Sequence, residues 1–118
     1  MTVPHAFVID DEEMVRTSLG KVLRVIGVPS TGYASGEAFL GAYRGDERGC
    51  LIVDVRMPGM SGLDLLDALR HRGCTLPAIV ITGHTDEGAL KRLNTLPIVG
   101  LLEKPFTLAQ LREMLARC

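Results

Sequence analysis

Five residues of this 118-residue chain could act together on an anionic group: Asp10, Asp11, Asp54, Thr82 and Lys104. Carboxylates crowded together repel one another and raise each other's pKa unless a cation joins them. A hard divalent ion relieves that repulsion, and Mg²⁺ takes a few carboxylates, a carbonyl and retained waters. A phosphoryl group beside such an ion would also need a hydroxyl donor and a positive charge on its oxygens. Thr82 and Lys104 are groups of those two types. Taken singly, each residue has an ordinary explanation. Asp10 and Asp11 would cap a helix or charge its first turn. Asp54 would cap a loop, Thr82 would sit in a turn, and Lys104 before Pro105 would be solvated. Those explanations do not predict that all five fall at strand ends on one sheet edge.

The elements that would place them there are short and apolar. Cys50-Leu51-Ile52-Val53 ends abruptly in Asp54, and a Pro/Gly-rich loop, Met57-Pro58-Gly59-Met60-Ser61-Gly62, follows. A continuous apolar run bounded by turn residues fits a strand buried on both faces of a parallel sheet. Ala6–Ile9, Ala78–Ile81 and Ile98–Leu102 read the same way and end at Asp10, Thr82 and Glu103-Lys104. Val28–Tyr33 contains Pro29 and Gly32, which suits an edge strand. Helical spacing runs from Val15 through Leu19, Val22, Leu23 and Ile26 to a stop at Gly27. Ser35 is placed to cap a short helix, and Ser61 and Thr107 open capping boxes with Asp64 and Gln110. A further helix is expected from about Asp86 to Asn94. Five strands alternating with five helices imply a parallel sheet covered on both faces, with right-handed crossovers. The expected fold is α/β, a flavodoxin-like doubly wound five-stranded parallel sheet of order 2-1-3-4-5, with ligands at the strands' carboxyl ends.

Length and composition bound the function. A single domain of this size supports its own core without metals or disulfides. Thirteen basic residues against fourteen acidic ones leave a formal charge of −1, which argues against direct nucleic-acid or anionic-membrane binding. No apolar run approaches the roughly 20 residues of a membrane span. Three cysteines without metal spacing, Cys50, Cys74 and Cys118, read as reduced thiols of a cytoplasmic protein, with Cys118 an exposed end.

The segments Val8-Ile9-Asp10-Asp11-Glu12, Leu51–Gly62, Ile79-Val80-Ile81-Thr82-Gly83-His84 and Glu103-Lys104-Pro105-Phe106 resemble the response-regulator receiver domain of two-component signalling. The resemblance covers essentially the whole chain, residues 1–118 as one domain, and is greatest to receivers preceding a helix-turn-helix transcriptional output. It implies the same strand order, so that order does not rest on alternation alone. It implies that Asp54 accepts a phosphoryl group from the phosphohistidine of a sensor histidine kinase. It also implies Mg²⁺ held by Asp11, Asp54 and the Arg56 backbone carbonyl, with Asp10 acting directly or through water. Lys104 would pair with the phosphoryl oxygens, Thr82 would hydrogen-bond one of them, and Gly83 would leave room for the group. A cis Lys104-Pro105 bond is expected. Arg56 and His84 would tune access of the hydrolytic water.

Two departures from the family pattern bear on the readout. Leu101 stands where an aromatic switch residue is usual, and Thr95-Leu96-Pro97-Ile98 replaces an alanine-glycine-alanine junction. Both fall on the face formed by the Asp86–Asn94 helix, the last strand and the final helix, where receivers meet output domains or pair as homodimers. Among rival chemistries, a haloacid-dehalogenase-type hydrolase needs an acid two residues past Asp54, where Arg56 stands. A flavin carrier needs a phosphate loop after the first strand, where Asp10-Asp11-Glu12-Glu13 would repel phosphate. The remaining alternative is a receiver-like interaction module that works without phosphorylation.

Overall fold

The computed structural model describes residues 5–83, 91–93, 95–96 and 98–118. Five strands, β1 (His5–Ile9), β2 (Ser30–Tyr33), β3 (Gly49–Asp54), β4 (Ala78–Thr82) and β5 (Gly100–Glu103), form one sheet. Their order is β2-β1-β3-β4-β5 and every pairing is parallel. The helices are α1 (Glu13–Val25), α2 (Gly36–Ala42), α3 (Gly62–His71), a fourth segment, α4, described over residues 91–93, and α5 (Leu108–Leu115). The flavodoxin-like order expected from the sequence is the one observed.

Side chains alternate across a strand, and here the alternation fills two cores. Phe7, Ile9, Leu51, Val53 and Val80 join Phe39, Leu65 and Leu69 on the α2–α3 side. Ala6, Val8, Ile52, Ile79, Ile81 and Leu102 join Leu19, Leu23, Leu111 and Leu115 on the α1–α5 side. Beyond His5 and Gly49 at their entry ends, the residues of the inner strands are buried, which is why these segments read as unbroken apolar runs.

Caps set the element ends. Ser61 with Asp64, and Thr107 with Gln110, each make both bonds of a capping box, and the Ser35 hydroxyl accepts the Ala38 N–H at 3.0 Å. Gly27 and Gly73 take left-handed φ values of +81° and +78°. The amide after each reaches back into its helix, Val28 N–H to Leu23 and Cys74 N–H to Leu69, the bonding of a Schellman motif. This moves one boundary. Val28 gives its N–H to the end of α1, so β2 begins at Ser30 and not at the expected Val28. β5 likewise begins at Gly100 and not Ile98, because the Ile98 amide turns back to Leu96; the Val99 amide then makes the entry bond to Ala78 of β4.

The cysteines require a correction. Cys50 and Cys118, expected as free thiols, are joined in a disulfide across 68 residues, and Cys74 alone stays free. Cys118 is also half-buried, packed against the α1–α5 core. Parallel packing carries the end of α5 back to the start of β3, a meeting that sequence spacing does not encode.

Candidate functional site

The loops after β1, β3, β4 and β5 share one sheet edge. Asp10 directly follows β1, Asp54 and Thr82 close β3 and β4, and Lys104 directly follows β5. Among the described residues, Asp10, Asp54 and Thr82 are the buried polar ones, at 1%, 6% and 3% exposure, whereas Asp11 is exposed. One carboxylate oxygen from each of Asp10, Asp11 and Asp54 lies within 4.8 Å of the others. The expected trio is thus assembled.

The surroundings fix these groups unequally. Asp54 Oδ1 accepts the Arg56 N–H at 3.1 Å, while Asp54 Oδ2 faces Lys104 Nζ at 3.4 Å. A tight ammonium–carboxylate bond is about 2.7–2.9 Å, so Lys104 is held near Asp54 without being locked to it. The Lys104 backbone is anchored more firmly, its N–H on the Thr82 carbonyl at 2.8 Å. That bond sets the ends of β4 and β5 side by side. The Lys104-Pro105 peptide is cis, as expected. Asp54 is reached from below by α3: Gly62 gives its N–H to Val55, and a Cβ at Gly62 would run into the Asp54 carbonyl oxygen and Val53. Only glycine lets the helix approach this closely.

Asp10 Oδ1 accepts the Glu12 N–H at 2.9 Å, but Asp10 Oδ2 is buried without a hydrogen-bond partner. Burial pushes the Asp10 carboxyl up from 3.8 to about 6; the Asp54 charge adds to the rise, and the Glu12 amide and Lys104 oppose it. A proton on Asp10 could be donated to Asp54. A buried acceptor left open among three carboxylates fits a cation site, since a metal ion would satisfy Oδ2 and remove the repulsion together.

Other residues singled out from sequence fall around this edge. Gly83 is exposed, and a Cβ there would lie 3.9 Å from Lys104 Cδ, an ordinary contact. Arg56 is exposed and Pro105 exposed beside Lys104. Leu101 is half-buried against the α2–α3 core. His84 and most of the expected Asp86–Asn94 helix lie outside the described residues. One residue was missed. Arg16, in the first turn of α1, donates from Nη1 to the Asp10 carbonyl at 2.7 Å. A cation where the helix macrodipole favours acids was the available signal.

The family model for the response regulator receiver domain matches residues 6–116. The chain is a receiver domain of the response-regulator family. This receiver is 46% identical over 99 residues to the transcriptional regulatory protein FixJ of Azorhizobium caulinodans, a match covering 84% of this chain and 47% of that protein. It is 41% identical over 101 residues to the C4-dicarboxylate transport transcriptional regulatory protein DctR of Rhodobacter capsulatus, covering 84% and 51%. The crystal structure of FixJ-N superposes with a TM-score of 0.90 at 39% identity, covering 99% of this chain and 94% of that one. The receiver spans about half the length of the curated relatives it matches. Among its described residues, no helix is long and apolar enough to cross a membrane.

Proposed function

We propose that this receiver is a phosphoryl-accepting switch and that Asp54 is its acceptor. One observation carries the reading: a buried Asp54 with a lysine ammonium 3.4 Å from one oxygen and two further carboxylates within 4.8 Å. The Asp54 carboxylate attacks phosphorus in line. The new O–P bond forms as the P–N bond to the kinase phosphohistidine breaks, and the imidazole leaves. Lys104 transfers its attraction from Asp54 to the phosphoryl oxygens, which its loose seating permits. Thr82 donates its hydroxyl to one of those oxygens. Gly83 keeps the approach free of side-chain bulk, and Arg56 and His84 would tune access of the hydrolytic water.

Asp11, Asp54 and the Arg56 backbone carbonyl would hold Mg²⁺, with Asp10 bound directly or through water. Bound there, the ion supplies charge neutralisation for the phosphoryl oxygens. The partners we infer are a sensor histidine kinase and, through the α4–β5–α5 face, an output domain or a second copy. Phosphorylation would act on that face through Thr82, Leu101 and Lys104. We place the domain, residues 1–118, in the cytoplasm, beside such kinases and with no nucleic-acid contact of its own.

The test is intact mass after exposure to acetyl phosphate, with and without Mg²⁺, on wild type and Asp54→Asn. A single hydroxylamine-labile phosphoryl adduct that needs Mg²⁺ and disappears in the variant is expected. An adduct that survives in Asp54→Asn would reject Asp54 as acceptor. No adduct on a folded, Mg²⁺-binding wild type would favour a phosphorylation-independent interaction module, the reading to which Leu101 and the Thr95-Leu96-Pro97-Ile98 junction point.

A further inference from the structure

The Asp10 residue is tied down through nearly all its polar groups. Its N–H donates to the Tyr33 carbonyl of β2 at 3.1 Å, its carbonyl accepts Arg16 Nη1 at 2.7 Å, and its Oδ1 accepts the Glu12 N–H at 2.9 Å. Only the buried Oδ2 is left over, and it belongs to the carboxylate trio. Arg16 reaches this carbonyl from α1 by laying its stem over β2. A Cβ on Gly32 would meet Arg16 Cδ at 3.3 Å, Cβ at 3.7 Å and Cγ at 3.9 Å. Gly32 in turn pairs with Val8 of β1. The arginine therefore clamps the β1–α1 turn against the edge strand, at the one peptide that joins Asp10 to Asp11.

We propose that Arg16 is a positioning residue for the divalent-cation site: by holding the Asp10 carbonyl it fixes the Asp10-Asp11 peptide, so that both carboxylates are presented together. The inference rests on the reading of Asp10, Asp11 and Asp54 as a Mg²⁺ site. A bond to a charged donor is stronger than one between neutral groups, and the peptide it restrains would otherwise turn freely enough to separate two mutually repelling side chains. Groups that orient metal ligands without touching the metal commonly alter affinity by one to two orders of magnitude. Arginine suits the task because its guanidinium extends past a stem that packs, which a shorter cation does not match.

The test is Mg²⁺ titration of the full chain, followed by the backbone amide resonances of Asp11 and Glu12, alongside thermal unfolding without Mg²⁺. The chain has no tryptophan, so the amides are the direct probe. Arg16→Met keeps the stem and removes the donor, Arg16→Gln keeps polarity at shorter reach, and Arg16→Lys restores a cationic donor. Met and Gln are expected to weaken Mg²⁺ binding roughly tenfold, with Lys recovering part of the loss. Wild-type affinity in either Met or Gln would overturn the proposal, whatever happens to its melting temperature, because a purely structural arginine would change melting alone. A wild type with no saturable Mg²⁺ response would instead overturn the cation site itself, and the inference with it. Should Arg16→Met fail to fold, Arg16→Gln gives the same decision.

Discussion

Asp10→Asn should make the metal-free domain more stable, and the gain should depend on pH. In the folded state the Asp10 carboxyl titrates near 6 instead of 3.8, chiefly through burial and then through Asp54. At about 1.4 kcal/mol per pKa unit, that rise corresponds to roughly 3 kcal/mol of cost for keeping Asp10 ionised in the fold. The folded state holds the Asp10 proton more tightly than the unfolded chain does. Below about pH 4 both states carry it and nothing is lost. Stability then declines as pH rises from about 4 to 6, and the full penalty stands above 6. Asparagine is neutral throughout, still accepts the Glu12 N–H, and can donate to Asp54. The expected gain at pH 7.5 is therefore about 1–3 kcal/mol, or roughly 4–12 °C in melting temperature for a chain this size. At pH 4 it should shrink to about 0.5 kcal/mol. Urea unfolding followed by far-ultraviolet circular dichroism, at both pH values and in chelator, measures the difference. Saturating Mg²⁺ should narrow it, because the ion stabilises the wild type by mass action. Equal gains at pH 4 and 7.5, or a loss at pH 7.5, would refute the assignment of the penalty to a buried charge.

Other substitutions probe the frame. Gly62→Ala places a methyl against the Asp54 carbonyl and Val53 and should cost about 1–3 kcal/mol in urea unfolding, more than the same change at exposed Gly41, where nothing lies within 4 Å. Phe39→Ala empties the ring packed edge-on against Phe7 and Tyr33 and should lose about 3–5 kcal/mol; a loss under 1 kcal/mol would show that the α2 side is loosely packed. Asp64 is held below its usual range by Ser61 and by Arg92 at 2.9 Å. Its contribution is therefore present above about pH 4 and fades as pH falls below that. Asp64→Ala should reduce stability by about 1 kcal/mol at neutral pH, with the deficit shrinking under acid; a deficit that grows in acid would contradict the capping role.

Much of this arrangement was legible in the sequence because its determinants are local. The inner strands could be read from Leu51-Ile52-Val53 and Ile79-Val80-Ile81, since burial on both faces leaves no polar alternation to confuse the period. Ser61, Thr107 and Gly27 marked helix ends through bonds made within a few residues. The parallel ends of β1, β3 and β5 then bring Asp10, Asp11, Asp54 and Lys104 together, without any knowledge of side-chain detail. What escaped was non-local. Val28 looks like a strand residue until its amide is seen to close α1. The Cys50–Cys118 pairing depends on how far α5 runs back along the sheet, and a separation of 68 residues offers no cue. Arg16 reads as one more solvated helix charge until Gly32 is found beneath its stem.

The sheet also works as a partition. Neighbouring residues of one strand, such as Val53 and Ile52, belong to different cores with separate sets of helices. Among the described residues the two clusters share no member, so a substitution on the α2–α3 side reaches the α1–α5 side through the backbones of the strands between them. Each side can therefore accumulate its own changes with little need for compensation on the other, and such changes should combine nearly additively. The strand ends alone belong to both sides. Descendants of this chain could remodel one flank for a new partner while the opposite flank keeps its old fit, with the carboxylate edge as the one feature neither flank is free to alter.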